Sequence, residues 1–463
     1  MYKINFRQPI SFDYDIAIIG SGMGGSIAAH TAARLNKKVC LVESGQLGGE
    51  CPNNSCIPTK ALLEVSKTID SINNSTKHGI NVKDFKIKYD IVQNFKNKAI
   101  ASTGIQDEEV SYKQSGITVI KGSAHFISPW QINVGTKRIS AKNFIISSGS
   151  KPTIPNINGL SEAGYITYSQ LCHAPSFPKS IAIIGGGAVA YEYSQICSAL
   201  GTKVHILENT DHIINSEDTE LSDLAESALS GRGVVVHTNS HIDYVGKGSK
   251  GKIVSFKQHG QNHRIITEEI LVASGKSPNV DLGLENTGIK YTEAGIIVNN
   301  YQRTNQKHIY AVGDVTGSNK FSHSASYESR IAINNIFKRK KLSTKNILVP
   351  RVIYGTPELA SVGLTERQVK MTGVVYQTAI SPIDILGKAI ATDYSAGFVK
   401  IVASQNGTLL GASIVSPNAS EIISELTFAI QYHHRACDLA NIIHPFPTWS
   451  EAIRVACSKI LCI

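Results

Sequence analysis

Short apolar, β-branched runs, each closed by a glycine or an acid, punctuate the chain from one end to the other. Residues 14–19, Tyr-Asp-Ile-Ala-Ile-Ile, read as a buried parallel strand. A helical stretch follows over 26–35, and a second strand, Val39–Val42, ends in Glu43. The pattern then turns polar over 70–115, with a helix around 89–115. Residues 117–146 read as β-hairpins closed by the apolar run 143–146. Pro152, Pro155, Pro175 and Pro178 mark a crossing between domains. Strands return at 181–184 and 203–207, the latter followed by Glu208, then over 232–275, and again at 309–312. From about residue 346 the character changes. Strands at 349–354, 397–403 and 409–415 alternate with helices at 418–432 and 450–460, which reads as a separate α+β domain.

Two of these strands open the same motif. Gly20-Ser-Gly22-Met-Gly-Gly25 follows the first, and Gly185-Gly-Gly187-Ala-Val-Ala190 follows Ile181-Ala-Ile-Ile184, which repeats Ile16-Ala-Ile-Ile19 letter for letter. Glu43 lies 23 residues after Gly20, and Glu208 lies 23 after Gly185. In such a unit one glycine makes the tight turn, the next admits a pyrophosphate, and the third lets helix and strand pack closely. Two units with matching offsets imply two dinucleotides. A carboxylate at the strand end accepts from a ribose diol and repels a 2′-phosphate. Residues 209–212 contain no Arg, so Glu208 predicts NAD in preference to NADP. Further on, Gly313-Asp314 sits in a turn after a strand, where an acid suits a polyol such as the ribitol of a flavin.

Between the units lies the stretch 48–63, Gly-Gly-Glu-Cys-Pro-Asn-Asn-Ser-Cys-Ile-Pro-Thr-Lys-Ala-Leu-Leu. Cys51 and Cys56 have four residues between them, just before an apolar helical run. Pro58 suits the first turn of that helix, which places Cys56 at or near its N-terminus, where the helix dipole favours a thiolate. Lys60, one turn on, adds positive charge on the same face. The pattern is that of a dithiol oxidised and reduced repeatedly.

The totals narrow the class. A chain of 463 residues predicts two to four domains. With 42% hydrophobic and 18% charged residues it is an ordinary globular composition. The net charge of +10 is spread without a basic block, which argues against nucleic acid. No apolar run is long enough to cross a membrane. Residues 1–7 lack the apolar core of a signal peptide, so reduced cysteines and a cytoplasmic location are expected. The eight cysteines do not form a disulfide framework, and no metal site is expected.

These residues together resemble the class I pyridine nucleotide–disulfide oxidoreductases, the group of dihydrolipoamide dehydrogenase, glutathione reductase and mercuric reductase. The likeness runs through both glycine turns, the Cys51/Cys56 segment, Tyr310–Val315, Pro357–Glu366 and His444–Glu451. It implies an α/β fold with two Rossmann-like domains and a C-terminal α+β dimerisation domain. FAD would occupy residues 1–150 and 271–345, NAD residues 151–270, and the homodimer contact residues 346–463. It also implies that Cys56 faces the flavin, that Cys51 meets the substrate, and that Lys60 approaches the flavin and pairs with Glu192. The candidate cofactor set is Gly20, Gly22, Gly25, Glu43, Gly49, Lys60, Ala124, Ser148, Gly149, Gly313, Asp314 and Ala325, with Gly185, Gly187, Ala190, Glu208 and Gly275.

Three departures bear on the substrate. Pro52 and Ser55 stand between the cysteines, where the family usually has an aliphatic residue and Gly. Phe446 occupies the position where disulfide-reducing members carry an acid–base His from the partner subunit, although Glu451, that His's usual companion, remains. Losing such a group costs ~10²–10⁴-fold in rate. His444, two residues earlier, is a candidate replacement, its plainer reading being a packed or surface histidine. Near the end, Cys457 and Cys462 are not adjacent, as metal-relaying cysteines of mercuric reductases are. Cys457 reads as helix-buried and Cys462 as part of a frayed terminus. The expected function is electron transfer from NADH through FAD and Cys51–Cys56 to a small-molecule or metal-ion acceptor other than a standard disulfide. The alternatives are a dihydrolipoamide dehydrogenase using His444 or solvent, and a mercuric or other metal-ion reductase. Against a non-catalytic binding role stand Cys51, Cys56, Lys60 and Glu192, none of which a scaffold needs.

Overall fold

The computed structural model describes residues 9–463; the stretch 1–7 read for a signal peptide lies outside the described residues. The chain divides into two compact units. The first runs to Pro58 and includes Asn94–Thr153 and Lys276–Lys345; the second comprises Thr59–Gln93, Ile154–Gly275 and Asn346–Ile463.

In the first unit five parallel strands line up in the order Ile309–Ala311, Phe144–Ile146, Ile16–Ile19, Val39–Glu43, Thr118–Lys121. Four of them, Ile16–Ile19, Val39–Glu43, Phe144–Ile146 and Ile309–Ala311, are buried at every position, which is why they read as apolar runs rather than alternating ones. The helix Met23–Arg34 leaves the first strand through the glycine turn and packs its small face (Gly24, Gly25, Ala28, Ala29, Ala32) inward. The hairpin reading of 117–146 holds only for Ala124–Ser140, a three-stranded antiparallel meander. Its flanks instead join the parallel sheet as separate strands. The helix expected around 89–115 is two helices, Tyr89–Ala101 and Glu108–Gln114. Gly104, at φ +76°, breaks the run between them, a conformation other residues adopt at a cost.

The second unit repeats the first motif. Its parallel sheet runs Val235–His237, Lys203–Leu207, Ser180–Ile184, Glu269–Val272, and the helix Ala188–Ala199 follows the second glycine turn. Residues 240–267 form an antiparallel three-stranded sheet. The C-terminal part builds a five-stranded antiparallel sheet in the order Arg351–Ile353, Glu358–Gly363, Leu409–Ser416, Phe398–Ser404, Tyr376–Pro382. The helices Ala419–Gln431 and Glu451–Cys457 share its apolar core. Among the described residues no helix is long and apolar enough to cross a membrane.

Candidate active site

The two glycine turns are duplicates down to their backbone hydrogen bonds. Glu43 Oε2 accepts from the N–H and the hydroxyl of Ser21, both at 2.7 Å, and Oε1 from the N–H of Gly45 at 2.7 Å. Glu208 Oε2 accepts from the N–H of Gly186 at 2.5 Å, and Oε1 from the N–H and hydroxyl of Thr210 at 2.9 Å. Each acid ties the residue after the first glycine to the loop two residues beyond itself. The carboxylate thus shapes the turn as well as marking the strand end.

The turns fit a dinucleotide. A Cβ on Gly25 would lie 1.8 Å from the Gly20 carbonyl, so only glycine permits that helix–strand approach. Gly49, at φ +68°, would clash at 2.6 Å with the Gly22 backbone. At Gly187, by contrast, a Cβ would meet nothing within 4 Å, which leaves the open space a pyrophosphate needs beside a helix start. Ala190 is buried in the helix behind it, and Gly275 closes the neighbouring strand end at φ +104°.

Other expected cofactor positions of the first unit gather around the same sheet. Asn279 clamps the Ser148–Gly149 turn: its N–H donates to the Gly149 carbonyl at 2.9 Å, its amide to the Ser148 carbonyl at 2.9 Å, and its own carbonyl accepts the Ser148 hydroxyl at 2.8 Å. Ser150 donates to Asp314 Oδ2 at 2.6 Å. Gly313 donates its N–H to Glu328 Oε2 at 2.7 Å, and Ser324 bonds the other oxygen at 2.9 Å. Burial raises the Glu328 carboxyl pKa, with the two hydrogen bonds opposing it. Ala325 sits in the same helix, Ser322–Phe337. Ala124 opens the hairpin strand Ala124–Ser128 and packs in the same apolar cluster as Ile19, Val42 and Ile146.

The cysteine stretch folds into a short helix, Glu50–Asn54, and the longer Cys56–Asn73. Cys51 belongs to the first. Cys56 is the first residue of the second, as its spacing from Pro58 implied, which sets it at the positive end of the helix dipole. Cys56 Sγ also lies 3.6 Å from the hydroxyl of Ser322, the first residue of its own helix. Cys40 and Cys457 are fully buried, and burial pushes each thiol up to about 12, which keeps them protonated.

In the second unit Lys60 and Glu192 come together. Lys60 Nζ donates to both carboxylate oxygens at 3.0 Å and lies 4.4 Å from the centroid of the Tyr354 ring. Glu192 is 7% exposed and also accepts the Tyr354 N–H at 3.1 Å.

His444 is a packed histidine. Its side chain is 5% exposed, Nε2 faces Glu425 Oε1 at 3.1 Å and Nδ1 faces the Ile442 carbonyl at 3.2 Å. Glu451 pairs with Arg454 at 3.3 Å, and its buried Oε2 has no hydrogen-bond partner among the described residues. Phe446 is 75% exposed, and its ring lies against Gly387.

The profile of the pyridine nucleotide-disulphide oxidoreductases matches residues 14–331, and the profile of their dimerisation domain matches 349–457. The chain belongs to this family. It is therefore an FAD- and pyridine-nucleotide-dependent oxidoreductase with two dinucleotide-binding domains and a C-terminal dimerisation domain. Family relatives include a dihydrolipoyl dehydrogenase from Geobacillus stearothermophilus, 33% identical over 95% of this chain and 95% of its own. A mercuric reductase from Staphylococcus aureus is 32% identical over 96% of this chain and 82% of its own. Among solved structures, the HOCl-induced flavoprotein disulfide reductase RclA from Escherichia coli superposes with a TM-score of 0.86 at 25% identity, covering 97% of this chain and all of that one. The family profile spans the glycine turns, both cysteines, Lys60 and Glu192. Reading the sequence alone missed Ser322, Glu328, Tyr354 and Glu425. Each is an ordinary polar or aromatic residue outside any motif; Ser322 and Tyr354 meet partners far off in the chain, and Glu328 is marked only by its bonds to Gly313 and Ser324.

Proposed function

We propose that this oxidoreductase takes electrons from NADH and delivers them through Cys51 and Cys56 to an acceptor other than a standard disulfide substrate. FAD supplies hydride acceptance and two-electron exchange with the dithiol when bound. The chain's own groups do the rest. Gly20, Gly22, Gly25, Glu43, Gly49, Ala124, Ser148, Gly149, Gly313, Asp314 and Ala325 hold the flavin dinucleotide in residues 1–150 and 271–345. Gly185, Gly187, Ala190, Glu208 and Gly275 hold the nicotinamide dinucleotide in 151–270, and Glu208 selects the free 2′-hydroxyl. Cys56 carries the stabilised thiolate, Cys51 exchanges with the acceptor, and Lys60, held by Glu192, presents positive charge beside the reacting groups. Residues 346–463 make the homodimer contact, for which the exposed Phe428, Tyr432, Ile442, Ile443 and Phe446 supply apolar surface.

One observation carries the choice of acceptor. At the position of the acid–base His stands Phe446, and the buried Oε2 of Glu451 is left with nothing to accept from among the described residues. His444 does not fill the gap, because both its ring nitrogens already face Glu425 and Ile442. A metal ion is the acceptor class best supported, since relatives include mercuric reductases and a solved Cu(II) complex of the Escherichia coli reductase. The test is a turnover panel with NADH against lipoamide, glutathione disulfide, Cu(II), Hg(II) and a quinone, run on wild type and Phe446→His. The proposal expects slow turnover of both disulfides, raised about tenfold or more by Phe446→His. Fast lipoamide turnover by wild type that collapses in His444→Ala would overturn it and favour the dihydrolipoyl dehydrogenase reading.

A further inference from the structure

Near the end of the chain two more sulfurs meet. The backbone N–H of Cys437 donates to Cys462 Sγ at 3.1 Å. The Cys437 thiol pKa is raised, first by its hydrogen bond with the Cys462 thiol and then by burial. The expected frayed terminus is in fact tied down. Gln377 bonds Leu461 from both sides, accepting its N–H at 3.0 Å and donating to its carbonyl at 2.9 Å. Arg435 donates to the Ile463 carbonyl at 3.0 Å. Gly407 leaves the room: a Cβ there would lie 2.6 Å from Cys462 Sγ. Both cysteines are half-buried and therefore reachable, whereas the third nearby sulfur, Cys457, is fully buried. Among the described residues no group of three or more side chains is assembled to hold a metal ion.

We propose that Cys437 and Cys462 form a second dithiol, separate from Cys51 and Cys56, that is oxidised to a disulfide by a small-molecule disulfide of the glutathione type. Cys462, whose sulfur accepts the amide hydrogen bond, attacks one sulfur of the small disulfide as a thiolate; the S–S bond breaks and one thiol leaves. Cys437 then attacks the Cys462 sulfur of the mixed disulfide and releases the second thiol. The protein loses two protons and two electrons, and the small disulfide gains them as two thiols. The closed loop, 437–462, contains His444, Phe446 and Glu451, so oxidation fixes both ends of the segment that sets the choice of acceptor.

The sequence makes the site easy to read, because trypsin cuts after Arg435, Arg454 and Lys459 and puts the three cysteines in separate peptides. Reduced full-length protein is treated with oxidised glutathione at neutral pH, alkylated, digested and analysed by mass spectrometry. The expected product is peptide 436–454 joined to peptide 460–463 by a disulfide, with Cys457 alkylated in peptide 455–459. Cys437→Ser should trap glutathione on Cys462 and leave NADH-driven turnover unchanged. The proposal is overturned if wild type shows Cys437 and Cys462 alkylated, or carrying separate glutathione adducts, after Cys51 and Cys56 have been oxidised.

Discussion

Lys60 and Glu192, 132 positions apart in sequence, meet with both carboxylate oxygens 3.0 Å from one ammonium. Glu192 also takes the Tyr354 N–H, so its removal orphans a cation and an amide together. Lys60 keeps about a third of its side chain in solvent, which softens the penalty. Glu192→Leu should therefore lose about 1–3 kcal/mol in a denaturant titration, and reduction of the bound flavin by NADH should slow. Unchanged stability would show that the pair contributes nothing beyond its geometry.

The Ser322 hydroxyl beside Cys56 should tune the thiolate. A hydrogen bond to a charged group is worth roughly 1.5–3 kcal/mol, and at 3.6 Å to a soft sulfur about 1 kcal/mol of that remains, somewhat under one pKa unit. In Ser322→Ala the Cys56 thiolate should become less stable, so the midpoint of its long-wavelength absorbance against pH should move up by about half a unit or more. The sign is the test, since a downward shift would exclude donation by Ser322.

The proposed preference for NADH rests on Glu208, which accepts from the N–H groups of Gly186 and Thr210. In wild type kcat/KM should favour NADH over NADPH. Glu208→Ala should lower that ratio about tenfold or more, partly through loss of turn order. Wild-type protein that uses NADPH at least as well as NADH would refute the selection argument.

An ion cluster in the second unit gives a pH signature. Lys400, 1% exposed, bonds Glu366 at 2.8 Å and Glu220 at 2.9 Å, with Asp218 at 3.7 Å. The Lys400 hydrogen bond holds the Glu366 carboxyl down from 4.5 to about 2. A depressed folded pKa gives stability that is complete above 4.5 and lost as the pH falls towards 2. Burial raises Asp218 in spite of Lys400, which works in the opposite direction. Glu366→Gln should cost about 1 kcal/mol at pH 7 after solvent screening, and the difference from wild type should vanish near pH 2. A difference constant from pH 7 to pH 2 would contradict this linkage.

Much of this was legible because the signals were local. Buried parallel strands announce themselves as β-branched runs, and the two glycine turns sit at fixed distances from Glu43 and Glu208. Cys56 at a helix start follows from Pro58 two residues later. What escaped depends on contacts across the chain. Thr118–Lys121 looked like half of a hairpin, yet it pairs in parallel with Val39–Glu43, because a strand's partner is set by tertiary packing. Cys462 looked frayed because Gln377 and Arg435, which hold its neighbours, lie 84 and 28 positions from the residues they bind. That His444 packs was one of the readings the sequence offered, but its partner Glu425 was invisible, since that residue carries no motif.

The central claim is that Cys51 and Cys56 relay electrons outward from the flavin. The direct measurement is an anaerobic NADH titration of the oxidised, flavin-loaded protein, followed by visible absorbance in wild type and in Cys56→Ser. The account predicts that the first equivalent leaves the flavin oxidised in wild type and produces a long-wavelength band, which Cys56→Ser lacks. Bleaching of the wild-type flavin by that first equivalent with no such band would contradict it.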